Sequence, residues 1–201
     1  MSDFNLTFRQ TEDLGNKIGG QAGALGILDG SRIVVERNPQ APQPILDFVQ
    51  NISMAKRKFV AIESFTKSNT RVKFGYIDER ILKLFGSIQE DTPTGALAVH
   101  RILCASHDPD IMVAMGPQSR RFTKLGQFYQ ALEVQGQGQA GPLLVNGYAN
   151  IAYVLDENGA PWAVSAYWGA GSGGWRVSVG SVASRLEWLA DDQALSQVSG
   201  N

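Results

Sequence analysis

The sequence predicts an α+β fold built mainly on antiparallel sheet, with hairpins, a C-terminal three-stranded meander and about four helices packed on the sheet. Three observations predict it. β-prone runs recur with turn-forming residues between them. Apolar residues at helical spacing occur in a few separate segments. Strands do not alternate with helices in the manner that produces a parallel sheet. A single domain over residues 1–201 is expected, with 142–201 the candidate for a small C-terminal subdomain.

The elements follow in chain order. Phe4, Leu6 and Phe8 alternate with polar residues, as in a half-buried strand. After a glycine-rich loop, residues 25–36 read as a hairpin around Asp29 and Gly30, a dipeptide suited to positive φ in a tight turn. Pro44, followed by Ile45, Phe48, Val49 and Ile52 at helical spacing, predicts a first helix. Residues 58–65 and 70–77 read as a second hairpin. In its second strand Val72, Phe74 and Tyr76 form an apolar face opposite Arg71 and Lys73. A short helix over 78–85 stops at Gly86. Residues 95–105 and 111–115 read as a hairpin turned by Asp108, Pro109 and Asp110. Leu125, Phe128, Tyr129 and Leu132 predict a helix capped by Thr123 and broken by the Gln/Gly stretch 135–141. Residues 149–155, 160–168 and 175–182 form the meander. Ser184 caps a last helix bearing Leu186, Leu189 and Leu195.

Composition excludes several classes. The chain has 43% hydrophobic and 18% charged residues and a formal net charge of -1, against the pattern of a disordered chain. No apolar run approaches the ~18 residues of a membrane-spanning helix. The first residues lack the basic start and apolar core of a secretory signal, so a cytoplasmic protein is expected. The single cysteine, Cys104, excludes an intramolecular disulfide and a cysteine-cluster metal site.

Chemistry-bearing patterns are sparse. No Gly-Lys pair exists, so there is no phosphate loop of the Walker type, and no cofactor is expected. Cys104 and His107 are the candidates for a nucleophile and its base. His107, Asp108 and Asp110 are ligand types without a metal-site spacing, so no metal is expected. Charge is unevenly placed: residues 56–124 hold 12 basic against 7 acidic residues, and the remainder to the end holds 2 against 6. Lys56, Arg57, Lys58, Arg71 and Lys73 are therefore candidate contacts to an acidic partner or to the acidic segment of another copy. A pI near 6.1 argues against nucleic acid. Among the aromatics crowded into 148–175, Trp162 and Trp168 are expected in the core, and Tyr167 and Trp175 at the surface, where they suit an interface or a flat ligand.

The function expected from this reading is a non-enzymatic protein-protein interaction or assembly protein, with self-association among its modes. The alternatives are a hydrolase or transferase using Cys104 and His107, and a small-ligand or carbohydrate-binding domain using Tyr167 and Trp175.

Overall fold

A computed structural model describes residues 43–184 and 186–198. By its contacts the chain divides into two units, Met1–Gln43 and Pro44–Asn201, and apart from Gln43 everything described belongs to the second. The strand expected at Phe4 to Phe8 and the hairpin expected over 25–36 lie outside the described residues.

The framework is a seven-stranded sheet in the order β1-β5-β11-β7-β8-β9-β3. Its strands are β1 (Leu46–Met54), β3 (Phe74–Ile77), β5 (Gly95–Ile102), β7 (Asn150–Leu155), β8 (Pro161–Gly169), β9 (Gly174–Ser181) and β11 (Gln193–Gln197). The expected meander is present as β7, β8 and β9, paired antiparallel in sequence. Two short ribbons complete the strands: β2 (Arg57–Val60) with β4 (Gln89–Thr92), and β6 (Ser106–His107) with β10 (Glu187–Trp188). Five helices are described: α1 (Ala61–Ser64), α2 (Glu79–Phe85), α3 (Asp108–Ala114), α4 (Gln118–Arg121) and α5 (Leu125–Val134). Among the described residues no helix is long and apolar enough to cross a membrane.

The expectation of a mainly antiparallel sheet is corrected to a mixed one: β11 runs parallel to β7, and β3 parallel to β9. The last helix expected from Ser184 is absent. Leu186 and Leu189, its supposed apolar stripe, are exposed, while Ala194 and Leu195 are buried in β11. β11 sits between β5 and β7 in the middle of the sheet. Its polar residues find internal partners that hide the strand from a periodicity search: Ser196 Oγ lies 2.9 Å from His100 Nε2, and Gln197 pairs with Gln127.

Three further expectations are revised. The helix expected at 45–52 is β1, which pairs antiparallel with β5 along its length. Ile45, Phe48, Val49 and Ile52 match helical spacing, but they are also β-favouring residues, and only Ile52 of the last three is buried. The hairpin of 58–65 with 70–77 does not form, since β2 turns into α1 and pairs with β4, and β3 pairs with β9. A register shift between Phe74 and Tyr76 breaks the alternation, leaving Phe74 buried and Tyr76 exposed. The strand expected at 111–115 is α3: Pro109 in its first turn and Asp108 and Asp110 beside it form a helix start rather than a hairpin turn.

α2 and α5 match their expected positions. Asp78 Oδ1 accepts from the Arg80 backbone N–H at 2.9 Å and caps α2. At α5 the capping residue is Lys124 rather than Thr123, and the Gln127 side chain reaches back to the Lys124 N–H at 2.9 Å. Leu125, Phe128, Tyr129 and Leu132 are buried as their spacing requires. α5 ends at the Gln/Gly stretch, where Gln135 accepts from Leu143 N–H and donates to the carbonyls of Gln139 and Leu143. Gly138 takes a positive φ of 71° there, and a Cβ would meet the Trp168 ring at 2.3 Å, so the loop can lie on that indole only with glycine.

Alternation divides the sheet into two faces. Leu97, Val99, Ala152, Val154, Val164, Ala166, Val177, Val179 and Leu195 belong to a large core that also holds α5 and the Phe59, Phe65 and Phe74 cluster. Ile102, Ile151, Tyr153, Ala163 and Ala194 belong to a smaller core with Ile111, Met115 and Trp188.

Candidate functional site

The basic residues divide into two sets. Arg57, Lys58 and Arg71 line an open groove of about 500 Å³ with Asn69, Tyr129 and Glu133; Lys56 and Lys73 are exposed outside it. Within the groove Arg57 and Arg71 both converge on one carboxylate. Arg57 Nη2 donates to Glu133 Oε2, and Arg71 Nη1 donates to Glu133 Oε1 at 3.4 Å. Burial, and then the neighbouring Arg71 charge, lowers the Arg57 pKa. Cations held this way are partly neutralised within the chain, which weakens their pull on an outside anion.

The aromatic pair does not form a common surface. Tyr167 is half-buried, while Trp175, expected at the surface, is fully buried at 0% exposure. Trp175 alternates with Val177 and Val179 and so points into the large core, where its ring meets Trp168 edge-on at 5.7 Å. Its Nε1–H donates to the Gln135 carbonyl at 2.9 Å. Tyr167 faces the other way, and its hydroxyl accepts from Arg176 Nε at 2.8 Å. Trp162 and Trp168, expected in the core, are half-buried against it.

Cys104 and His107 are both exposed, so Cys104 is not a buried small hydrophobe. The Cys104 Sγ lies 3.7 Å from Ser106 Oγ, whereas His107 Nδ1 lies 3.0 Å from the Leu186 carbonyl and donates to it. No hydrogen bond joins the thiol to the imidazole among the described residues, and no group of three His, Cys, Asp or Glu there could hold a metal ion.

The sheet edge carries a stronger feature. β1 is one of the two outermost strands, β3 being the other, and among the described residues nothing pairs with its outer side. Phe48 and Val49 on it are 56% and 43% exposed. Phe48 rests edge-on over His100 at 6.1 Å, which keeps its ring on the strand surface. A ladder irregularity between Phe48 and Gln50 is followed by regular pairing from Gln50 to Met54.

The least anticipated group is Asp108, only 1% exposed. The β6-β10 ribbon brings Trp188 opposite Ser106, two residues before Asp108. Asp108 Oδ1 accepts from Trp188 Nε1 at 2.6 Å and from the Tyr153 hydroxyl at 2.8 Å. Oδ2 is buried without a partner among the described residues. Burial raises the Asp108 pKa, against the two donors, and burial beside this carboxyl also pushes the Tyr153 phenol up. The sequence marks Asp108 as a turn former and as a ligand type without a metal-site spacing, not as a buried acceptor, because both donors lie far away in the chain. Comparison with protein-family models, with curated protein sequences and with solved structures returns no match.

Proposed function

We propose that this protein is a non-enzymatic interaction protein that assembles with copies of itself through the side of β1 that no described residue pairs with. The carrying observation is a nine-residue edge strand with Phe48 and Val49 exposed. An unpaired strand edge presents a row of N–H and C=O groups ready to pair with another strand. Edges that must stay single are commonly blunted by lysine, proline or a β-bulge. β1 has no lysine or proline, its one charged side chain, Asp47, is taken by Arg101 at 3.1 Å, and its irregularity between Phe48 and Gln50 leaves Gln50 to Met54 in regular pairing. Two such strands can pair antiparallel about a two-fold axis, with each residue meeting its counterpart reciprocally. A head-to-tail contact between basic and acidic segments has less to draw on, since Glu133 already engages Arg57 and Arg71.

Light scattering after size exclusion, run on the full chain over a concentration series, tests the proposal. The wild-type chain is expected to shift from monomer towards dimer. The double change Phe48→Lys and Val49→Lys is expected to raise the dissociation constant at least about tenfold, with an unaltered circular dichroism spectrum. A strictly monomeric wild type, or a variant that dimerises equally well, overturns it.

A further inference from the structure

A second cavity, about 560 Å³, opens on the smaller-core face, between β8, β9 and the segment carrying Trp188. Its floor is made of small residues. In the β8-β9 ladder Ala163 pairs with Gly180 and Ser165 with Ser178. A Cβ placed on Gly180 would meet nothing within 4 Å, so the space above the floor is open. Leu186 and Trp188 add apolar wall, and Asp108 is the only carboxylate among the lining residues.

Among the described residues no cation is paired with the carboxylate in this cavity. Asp108 makes no salt bridge among the described residues. Arg80, which also lines the cavity, is engaged by Asp78, with Nε 3.0 Å from Oδ1 and Nη2 2.6 Å from Oδ2. Tyr153 and Trp188 both donate to Oδ1 and leave Oδ2 as a buried acceptor without a donor among the described residues. A buried carboxylate is costly unless a cation or donor meets it. The Ser165 and Ser178 hydroxyls, adjacent on the floor, make no side-chain hydrogen bond among the described residues and can accept as well as donate.

We propose that this cavity is a binding site for a small amine with an apolar body, its ammonium group received by Asp108 with help from the floor serines. An ammonium brings three donors and one positive charge, which matches one unpartnered carboxylate oxygen and two free hydroxyl acceptors. The volume falls within the ~300–1,000 Å³ of small-molecule pockets. Serine floor and aliphatic-aromatic wall separate the two ends of such a ligand. This site is independent of the β1 edge, and it replaces Tyr167 and Trp175 as the place where a ligand would bind.

The probe pair is tyramine and its neutral counterpart 4-ethylphenol, read by the Trp188 indole N–H resonance of the full chain, assigned by its disappearance in Trp188→Phe. Tyramine is expected to shift that resonance saturably, and 4-ethylphenol to bind at least about tenfold more weakly. Asp108→Asn keeps the Oδ1 acceptor but removes the charge, and is expected to abolish the preference for tyramine. Gly180→Leu, which fills the open space and leaves Asp108 intact, is expected to abolish the shift by both compounds while preserving the Trp188 resonance itself. Absence of a saturable shift in the wild type, equal response to the two compounds, or tyramine binding that persists in Gly180→Leu overturns the proposal. Should Asp108→Asn fail to fold, the compound pair and Gly180→Leu decide it.

Discussion

The two faces of the seven-stranded sheet are covered by different means. On the α5 face, Phe65 packs against Phe59, Phe74 and Tyr129 with ring centroids 6.3, 5.8 and 5.7 Å apart, and Trp175 meets Trp168 beneath the Gln/Gly loop. On the opposite face, short α3 and Trp188 pack with Ile102, Ile151, Tyr153, Ala163 and Ala194 and enclose a carboxyl group. The first arrangement draws its energy from apolar area and close packing. The second relies on a few directed hydrogen bonds around an ionisable group, and its cavity holds a buried carboxylate oxygen without a partner among the described residues, whereas the groove beside α5 has its Glu133 carboxylate paired with Arg57 and Arg71. One face therefore behaves as the scaffold, and the other has the traits of a site: buried polarity, open volume and incomplete pairing.

If this contrast is sound, truncation on the α5 face should be the most damaging change. Phe128→Ala removes a fully buried ring from the large core, and a loss of ~3–5 kcal/mol in urea unfolding is expected. A loss below about 1 kcal/mol would mean that this face is not the stabilising one. Trp188→Phe sharpens the comparison on the other face. It keeps an aromatic ring but deletes one of two donors to Asp108, and should cost about 1–3 kcal/mol.

The smallest effect is a pH slope. Burial raises the folded-state pKa of Asp108 above its ordinary value of 3.8, so the folded chain holds a proton there that the unfolded chain has released. Its contribution is therefore most favourable below pH 3.8 and is lost as pH rises through the raised value. Asp108→Asn lacks that titration. Its stability relative to wild type should rise between pH 4 and pH 7 in paired unfolding curves, and a constant difference would place the carboxyl in an environment that does not favour its neutral form. Separately, His100, whose pKa burial lowers and the Arg120 charge lowers further, works in the reverse direction and weakens the fold as pH falls below 6.5. It is common to both proteins and cancels in the comparison.

Legibility in the sequence followed how local each signal was. The meander was readable because three β-prone runs are joined by short turns, and such runs pair with their neighbours. α2 and α5 were readable because apolar spacing and helix-end residues coincide over a few turns. β1 was misread because one apolar set fits both periods, and only pairing with β5 chooses between them. β11 was hidden by its polar residues, whose partners His100 and Gln127 come from elsewhere in the chain. Of the candidate residues, Arg57, Lys58 and Arg71 share a groove, but the carboxylate that holds two of them came from α5.

What the sequence by itself determined was the set of faces: alternation in β7, β8 and β9 places Val164, Ala166 and Val177 on one side and Ala163, Ser165 and Ser178 on the other, whatever the strands pack against. Tertiary structure alone decided which strands became neighbours, that the sheet became mixed, that β1 was left at an edge, and that Asp108 was met by Tyr153 and Trp188. The reason is range. Periodicity and capping act over a few residues, whereas ladder pairing and the burial of a carboxyl depend on hydrogen bonds between segments that only the folded chain brings together.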